Sequence, residues 1–147
     1  MMASFEEVTA ELISLLESGC EGISFVRSFP GDITEFPVKR PTVSVGISRA
    51  ELPMGECFYL GADVDANDHY GAMASVDFRL QICVPKTGAG KEAYVAFDSI
   101  ADACLGNTEL HIISLGCGDI NYNRIMGALV LDAEIKVRAA LRSVSTD

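Results

Sequence analysis

Two stretches of strict alternation, Ser75–Pro85 and Ile125–Arg142, constrain the fold more than any other feature of the chain. In the first, Val76, Phe78, Leu80, Ile82 and Val84 fall on one side and Asp77, Arg79 and Gln81 on the other, because successive side chains of a strand point to opposite faces. The second repeats this, with Leu129, Leu131, Ala133, Ile135, Val137, Ala139 and Leu141 opposite Asp132, Glu134, Lys136, Arg138 and Arg142. Both predict a strand with one core face and one face turned to water or a partner. At strand rise the second reaches about 50 Å, whereas strands of compact domains usually have about 5–6 residues. Such length points to curvature, a bulge, or pairing across subunits.

The remaining periodicities predict an α+β fold in the order αβββαββ. Ser4 followed by Glu7 is a capping-box pattern, and Phe5, Val8, Leu12, Leu15 and Leu16 then recur at helical spacing to about Ser18. Ile23, Phe25, Arg27 and Phe29 alternate with Ser24, Val26 and Ser28, and Pro30 and Gly31 close that strand. Pro37 and Pro41 flank the entry to a second strand, Val43, Val45 and Ile47, and these two strands are expected to pair antiparallel. From Arg49 to Gly71 the pattern breaks at Pro53, Gly55 and Gly61, which predicts a long arm-like loop with at most a short hairpin at its base. After a turn at Thr87–Gly90, the stripe Ala93, Tyr94, Phe97, Ile100, Ala101, Cys104 and Leu105 predicts a second helix ended by Gly106. Leu110–Asn121 and the last alternating stretch form a final pair around Asn121–Arg124.

A chain of 147 residues fits one domain, here 1–147, with about 68–70% of its unfolded surface buried. Hydrophobic residues make up 49% and charged ones 22%, a globular balance that argues against bulk disorder. The net charge of −10, from 21 acids and 11 bases, argues against gripping nucleic-acid phosphates through a basic surface. It leaves room for a conduit whose acidic walls let DNA slide. The five cysteines, Cys20, Cys57, Cys83, Cys104 and Cys117, are widely spaced and odd in number, and read as free thiols of a reducing compartment. Met1–Glu7 lacks the basic and apolar regions of a secretory leader, and no run of about 18 apolar residues is present. The expectation is a soluble product made in the cytosol.

Four patterns approach a chemical motif and stop short. Thr87, Gly88, Ala89, Gly90 and Lys91 lie where a phosphate loop would, but the first Gly and the Ser or Thr of that motif are replaced by Pro85 and Glu92; the segment reads as a Gly-rich turn. Asp63, Val64, Asp65, Ala66 and Asn67 open like a calcium loop, but Asp68 and Ala74 stand where Gly and Glu are needed, so a solvated acidic loop is expected. His69 and His111 have no Cys or carboxylate at a zinc spacing. Asp98 and Asp102 share one helix face and read as its solvated side rather than as an acid–base pair. Cys83 and Cys104 read as small core residues, and Cys117, between two glycines, is the least constrained thiol.

The order of elements, the segments Phe36–Ile47 and Val76–Pro85, and Ile113–Tyr122 leading into the last strand resemble the tail terminator proteins of tailed bacteriophages and phage-tail-like particles. The resemblance covers about Ser4–Arg142. It implies a structural virion protein with no catalytic, cofactor or metal site: a subunit of a ring, commonly a homohexamer, that caps the head-proximal end of the tail tube. Its implied partners are the tail tube protein, the sheath where the tail contracts, and a neck connector protein, with DNA passing through the lumen; it would be assembled in the host cytoplasm and located in the virion tail. Arg49, Glu51, Glu56, Phe58, Tyr59, Asp63, Asp65, Asp68, Lys86 and Lys91 are the candidate interface residues. A neck or head-completion connector is the neighbouring alternative, and a small-ligand enzyme using Cys117 or the Asp98 and Asp102 pair is a different class.

Overall fold

A computed structural model describes residues 4–27, 40–62, 68–88 and 90–142. Helix α1 (Phe5–Gly19) starts where Ser4, in extended conformation, accepts a hydrogen bond from the Glu7 N–H at 3.2 Å. That bond satisfies a donor which the helix itself leaves open. Strands β1 (Ser24–Arg27), β2 (Thr42–Glu51), β3 (Phe58–Ala62) and β4 (Asp68–Pro85) follow, then helix α2 (Lys91–Leu105) and strands β5 (His111–Asn123) and β6 (Ala128–Arg142). They form one six-stranded sheet in the order β1-β2-β4-β6-β5, with β3 paired to β4 off that path.

The two alternating stretches become the centre of the sheet. β4 and β6 pair antiparallel from Gly71↔Arg142 to Pro85↔Ala128 without a register shift. Phe78 therefore faces Ile135, and Leu80 faces Ala133. Both helices cover this apolar face: Val8, Leu12 and Leu16 of α1 and Ala93, Ala96 and Ile100 of α2 join Val43, Val45, Val76, Phe78, Leu80, Ile82, Leu131 and Ile135 in one core. At the helix crossing a Cβ on Gly19 would come within 2.6 Å of the Ala103 Cβ, so the missing side chain sets how closely the helices approach.

The architecture is the expected α+β one, with two helices on a mostly antiparallel sheet, and it differs from expectation in four places. β1 and β2 pair parallel, Phe25 opposite Val43, not antiparallel. A parallel pair needs a connection of about a dozen residues or more where a hairpin needs only a tight turn, and residues 28–41 separate β1 from β2 in the chain. The turn signal at Pro30 and Gly31 lies outside the described residues. Second, most of the 49–71 loop is strand: β2 runs on to Glu51, β4 begins at Asp68, and β3 lies between them. The aromatic residues of this stretch pair across strands, Tyr59 opposite Tyr70, and that pairing outweighs a poor alternation signal. Third, Tyr94 and Leu105 are 49% and 84% exposed, so the α2 stripe is narrower than its apolar residues imply. Fourth, the last turn spans residues 124–127, where the Asn123 side chain accepts the Met126 N–H at 3.0 Å and Gly127 takes φ +60°, a conformation glycine adopts without strain.

Candidate functional site

The sheet has a second face that neither helix covers. Cross-strand partners share a face, so Ser75, Asp77, Arg79 and Gln81 of β4 stand with Arg138, Lys136, Glu134 and Asp132 of β6, and with Arg49 and Glu51 of β2. Five of the chain's 11 bases, Arg49, Arg79, Lys136, Arg138 and Arg142, lie here beside Glu51, Asp77, Asp132 and Glu134. Arg79 bonds Asp132 at 3.1 Å and Arg49 bonds Glu51 at 3.2 Å. The charges are thus largely matched in place. The helix layer is the reverse, with Glu6, Glu7, Glu11, Glu17, Glu92, Asp98 and Asp102 against Lys91 alone. A shallow groove of about 640 Å³ runs along the open face between Ser48, Arg79, Gly116, Cys117, Asp132 and Glu134.

Exposed apolar side chains gather at one end of the sheet. Gly71 pairs with Phe58 of β3 and with Arg142 of β6 at once. β6 holds one edge of β4, so β3 must lie on the other, in line with β2 after the detour at Leu52–Cys57. Beyond Gly71, β4 has only β3 beside it among the described residues, and the two make a two-stranded ribbon there. A Cβ on Gly71 would meet Phe58 Cε2 at 2.8 Å, the Leu141 carbonyl oxygen at 3.0 Å and Leu60 Cδ1 at 3.1 Å. Glycine there lets Phe58 and Leu60 fold down onto the strand. Tyr59 and Tyr70 meet edge to face with ring centroids 5.5 Å apart. Met54, Phe58, Tyr59, Leu60, Tyr70 and Met73 are all exposed, and they occupy both faces of the ribbon, because the successive pairs Phe58↔Gly71 and Tyr59↔Tyr70 point to opposite sides.

The interface residues expected from sequence are spread along β4 and do not form one patch. Glu56, Phe58 and Tyr59 belong to the ribbon end, where Asp68 opens β4; Arg49 and Glu51 lie on the open face opposite Asp77 and Ser75, in the middle of β4, and Asp63 and Asp65 lie outside the described residues. Lys86 and Lys91 belong to the other end, where Lys86 Nζ sits 5.7 Å from the centroid of the Tyr122 ring. Sequence reading passed over Leu60, Tyr70 and Met73. For Tyr70 and Met73 a signal was present: the alternation of Ser75–Pro85 runs back through Ala74 and Ala72 to Tyr70 on one face and through Met73 on the other, which extends β4 into the arm.

The remaining chemical candidates stay apart. Asp98 and Asp102 are exposed on α2, while Cys117 is exposed on β5 and lines the open-face groove. Burial pushes the Cys83 thiol up to about 12, with nearby Asp132 adding to it, and the Cys104 thiol up to about 11. Cys83 is buried and Cys104 partly buried, and the raised values favour the thiol over the thiolate at neutral pH. Gly90 begins α2 in a left-handed conformation, and a Cβ on it would strike Ile120 Cδ1 at 2.8 Å; the Gly-rich turn serves packing. Among the described residues no cluster of His, Cys, Asp and Glu could hold a metal, and no helix is long and apolar enough to cross a membrane.

No protein-family model and no curated protein sequence matches the chain. Among solved structures it is similar to the sheath/tube terminator of an extracellular contractile injection system, PVC, in the extended state, with a TM-score of 0.55 over 100% of this chain at 11% identity. The chain shares the fold of that protein. It spans 62% of the length of that terminator, and at this identity the likeness is one of fold alone.

Proposed function

We propose that this protein is a tail terminator: copies form a ring that caps the end of a tail tube, ends its polymerisation and presents a docking surface to the next component of the particle. The observation that carries the reading is the terminator fold extending over the whole chain. Two further features support it. Capping a filament requires one surface that matches the filament and another that does not continue it, and the molecule has two dissimilar surfaces, a charge-matched open sheet face and an acidic helix layer. It also carries an exposed apolar ribbon, Phe58–Ala62 with the start of β4, of the kind used in assembly rather than in catalysis. The tube protein, the sheath of a contractile tail and a neck component are the partners this reading assigns. DNA crossing the lumen would meet a subunit of net charge −10, which favours passage over retention.

Mixing the purified chain with growing tail tubes and measuring tube length by electron microscopy tests the proposal. Tubes should stop at shorter lengths as the chain is added, with extra density at one end. Unchanged length and bare ends would refute it. Deleting 56–68, which removes β3, should leave a folded chain that no longer assembles.

A further inference from the structure

The charges on the two central strands of the open face are arranged in order. β6 presents Asp132, Glu134, Lys136 and Arg138, two acids and then two bases, and β4, antiparallel beside it, presents Asp77 and then Arg79. Asp77 stands opposite Lys136 and Arg79 opposite Glu134, so both rows change sign at the same level of the sheet. One step further out on β4, Ser75 and Gln81 carry no charge. These side chains reach water: Arg79 is 58% and Asp132 44% exposed, and Glu134, Lys136 and Arg138 are exposed as well. Arg79 bonds Asp132 diagonally instead of Glu134 straight across. The charges balance in number, yet no ion pair among the described residues holds Asp77, Glu134, Lys136 or Arg138. Towards Pro85 the same face is closed, with Cys83 and Ala128 buried and Met126 packed against them. The accessible part therefore runs from Gln81 and Asp132 to Arg142.

We propose that two copies of this chain stack open face to open face, related by a half-turn about an axis that crosses the strands where the charges change sign. The half-turn sets β6 against β6 and β4 against β4 with their directions reversed. Lys136 then lies over Glu134 of the second copy, Arg138 over Asp132 and Arg79 over Asp77, each contact occurring twice. Every charge on the two central strands meets its opposite. A second copy is the occupant because the pattern is complementary to itself, whereas the acidic helix layer would set its carboxylates against Asp77, Asp132 and Glu134. Packed sheets align within about 30°. Four strands about 4.8 Å apart and about ten residues long give roughly 650 Å² of flat area, before side-chain relief is counted, and a standard interface takes about 800 Å² from each partner. Charges placed in this way fix register and partner more than they add affinity. Both copies use the same patch, so the contact is closed and withholds the open face from other partners while it lasts. It goes beyond the terminator reading and does not depend on it.

Light scattering tests the stacking. The wild-type mass is followed as ionic strength rises from about 0.1 M, where charges act over about 10 Å, to about 1 M, where they act over about 3 Å; it should halve, whether the species at low salt is a pair of chains or a pair of rings. Glu134→Lys and Lys136→Glu each set like charges face to face, and each should halve the mass at low salt while circular dichroism stays that of the wild type. Mixed one to one, the two variants should regain the full mass, since each presents the charges that the other now opposes. A single chain with both substitutions should regain it too, because the exchange keeps the order complementary to itself; a register with Lys136 over Asp77 would leave this double variant at half mass. The mixture decides the matter if the double variant is unfolded. A wild-type mass equal to that of either variant, a mass indifferent to salt, a mixture that stays at half mass, or a folded double variant that does so would overturn the proposal. The terminator reading is judged by tube length and survives each of these results.

Discussion

Phe78 and Arg79 are neighbours in the chain and lie in different environments. Phe78 is fully buried under the helices, whereas the Arg79 side chain is 58% exposed on the open face, where it meets Asp132. The same contrast runs the length of β4 and β6, so each strand carries two separate messages at alternate positions. One face holds the helices and fixes the fold through apolar area removed from water. The other is matched in charge, contributes little to stability, and is free to be shaped for a partner.

The largest effect should come from the covered face. Phe78→Ala removes the largest fully buried side chain and should cost about 3–5 kcal/mol in chemical denaturation. A loss under about 1 kcal/mol would mean that the helix layer does not carry the stability. Gly71→Ala probes the boundary between core and ribbon. Its Cβ must displace the Phe58 ring and approach the Leu141 carbonyl, an overpacking that should cost roughly 1–3 kcal/mol. It should lower self-association more than its stability loss explains, because Phe58 is pushed off the strand. Unaltered assembly in a folded Gly71→Ala chain would show that the ribbon's conformation is immaterial.

The two faces were not equally legible in the sequence. Alternation over Ser75–Pro85 identified the inward row of β4 residue by residue, because burying one face forbids a one-residue slip. Ser4 was legible as a cap because its side chain acts within three residues. The partner of β1 was not, since the choice between parallel and antiparallel depends on where residues 28–41 lead, and no local pattern records it. β3 was hidden for a related reason: Phe58–Ala62 is almost wholly apolar, so period 2 cannot show in it, and only Tyr70 across the ribbon gives it a register. Of the candidate interface residues, Phe58 and Tyr59 lie at the apolar end, Arg49 and Glu51 on the open face beside the middle of β4, and Lys86 and Lys91 at the far end. Charge and exposure can be read along a chain, but which exposed residues come together is set by strand pairing.

On the open face, Arg79→Ala should cost only about 0–1 kcal/mol, and less at high salt, because both partners of its ion pair are near water. Thermal denaturation of this variant beside Phe78→Ala compares adjacent positions directly. A cost above about 2 kcal/mol would show that the open face is structural.

The smallest effect should come from the outer side of the helix layer, and it depends on pH. Glu11 of α1 lies in a cleft with Glu109, which Asn107 holds in place by accepting the N–H groups of Glu109 and Leu110 at 2.8 and 3.0 Å. Asp102 of α2 is the third carboxylate of that cleft, and no base lines it. A hydrogen bond with Glu109 raises the Glu11 carboxyl above its ordinary value of 4.5, and desolvation and the Glu109 charge act in the same direction. A carboxyl raised on folding holds its proton in the native chain at a pH where the unfolded chain has released it. The native state then binds more protons, and stability falls as pH rises through that window. Melting temperature should therefore decline from near pH 4.5 upward until Glu11 is ionised. Glu11→Gln keeps the hydrogen bond and removes the titrating group, so its decline should be shallower and its melting temperature at neutral pH equal to or above that of the wild type. An identical decline in the variant would assign the pH dependence to other acids of the helix layer.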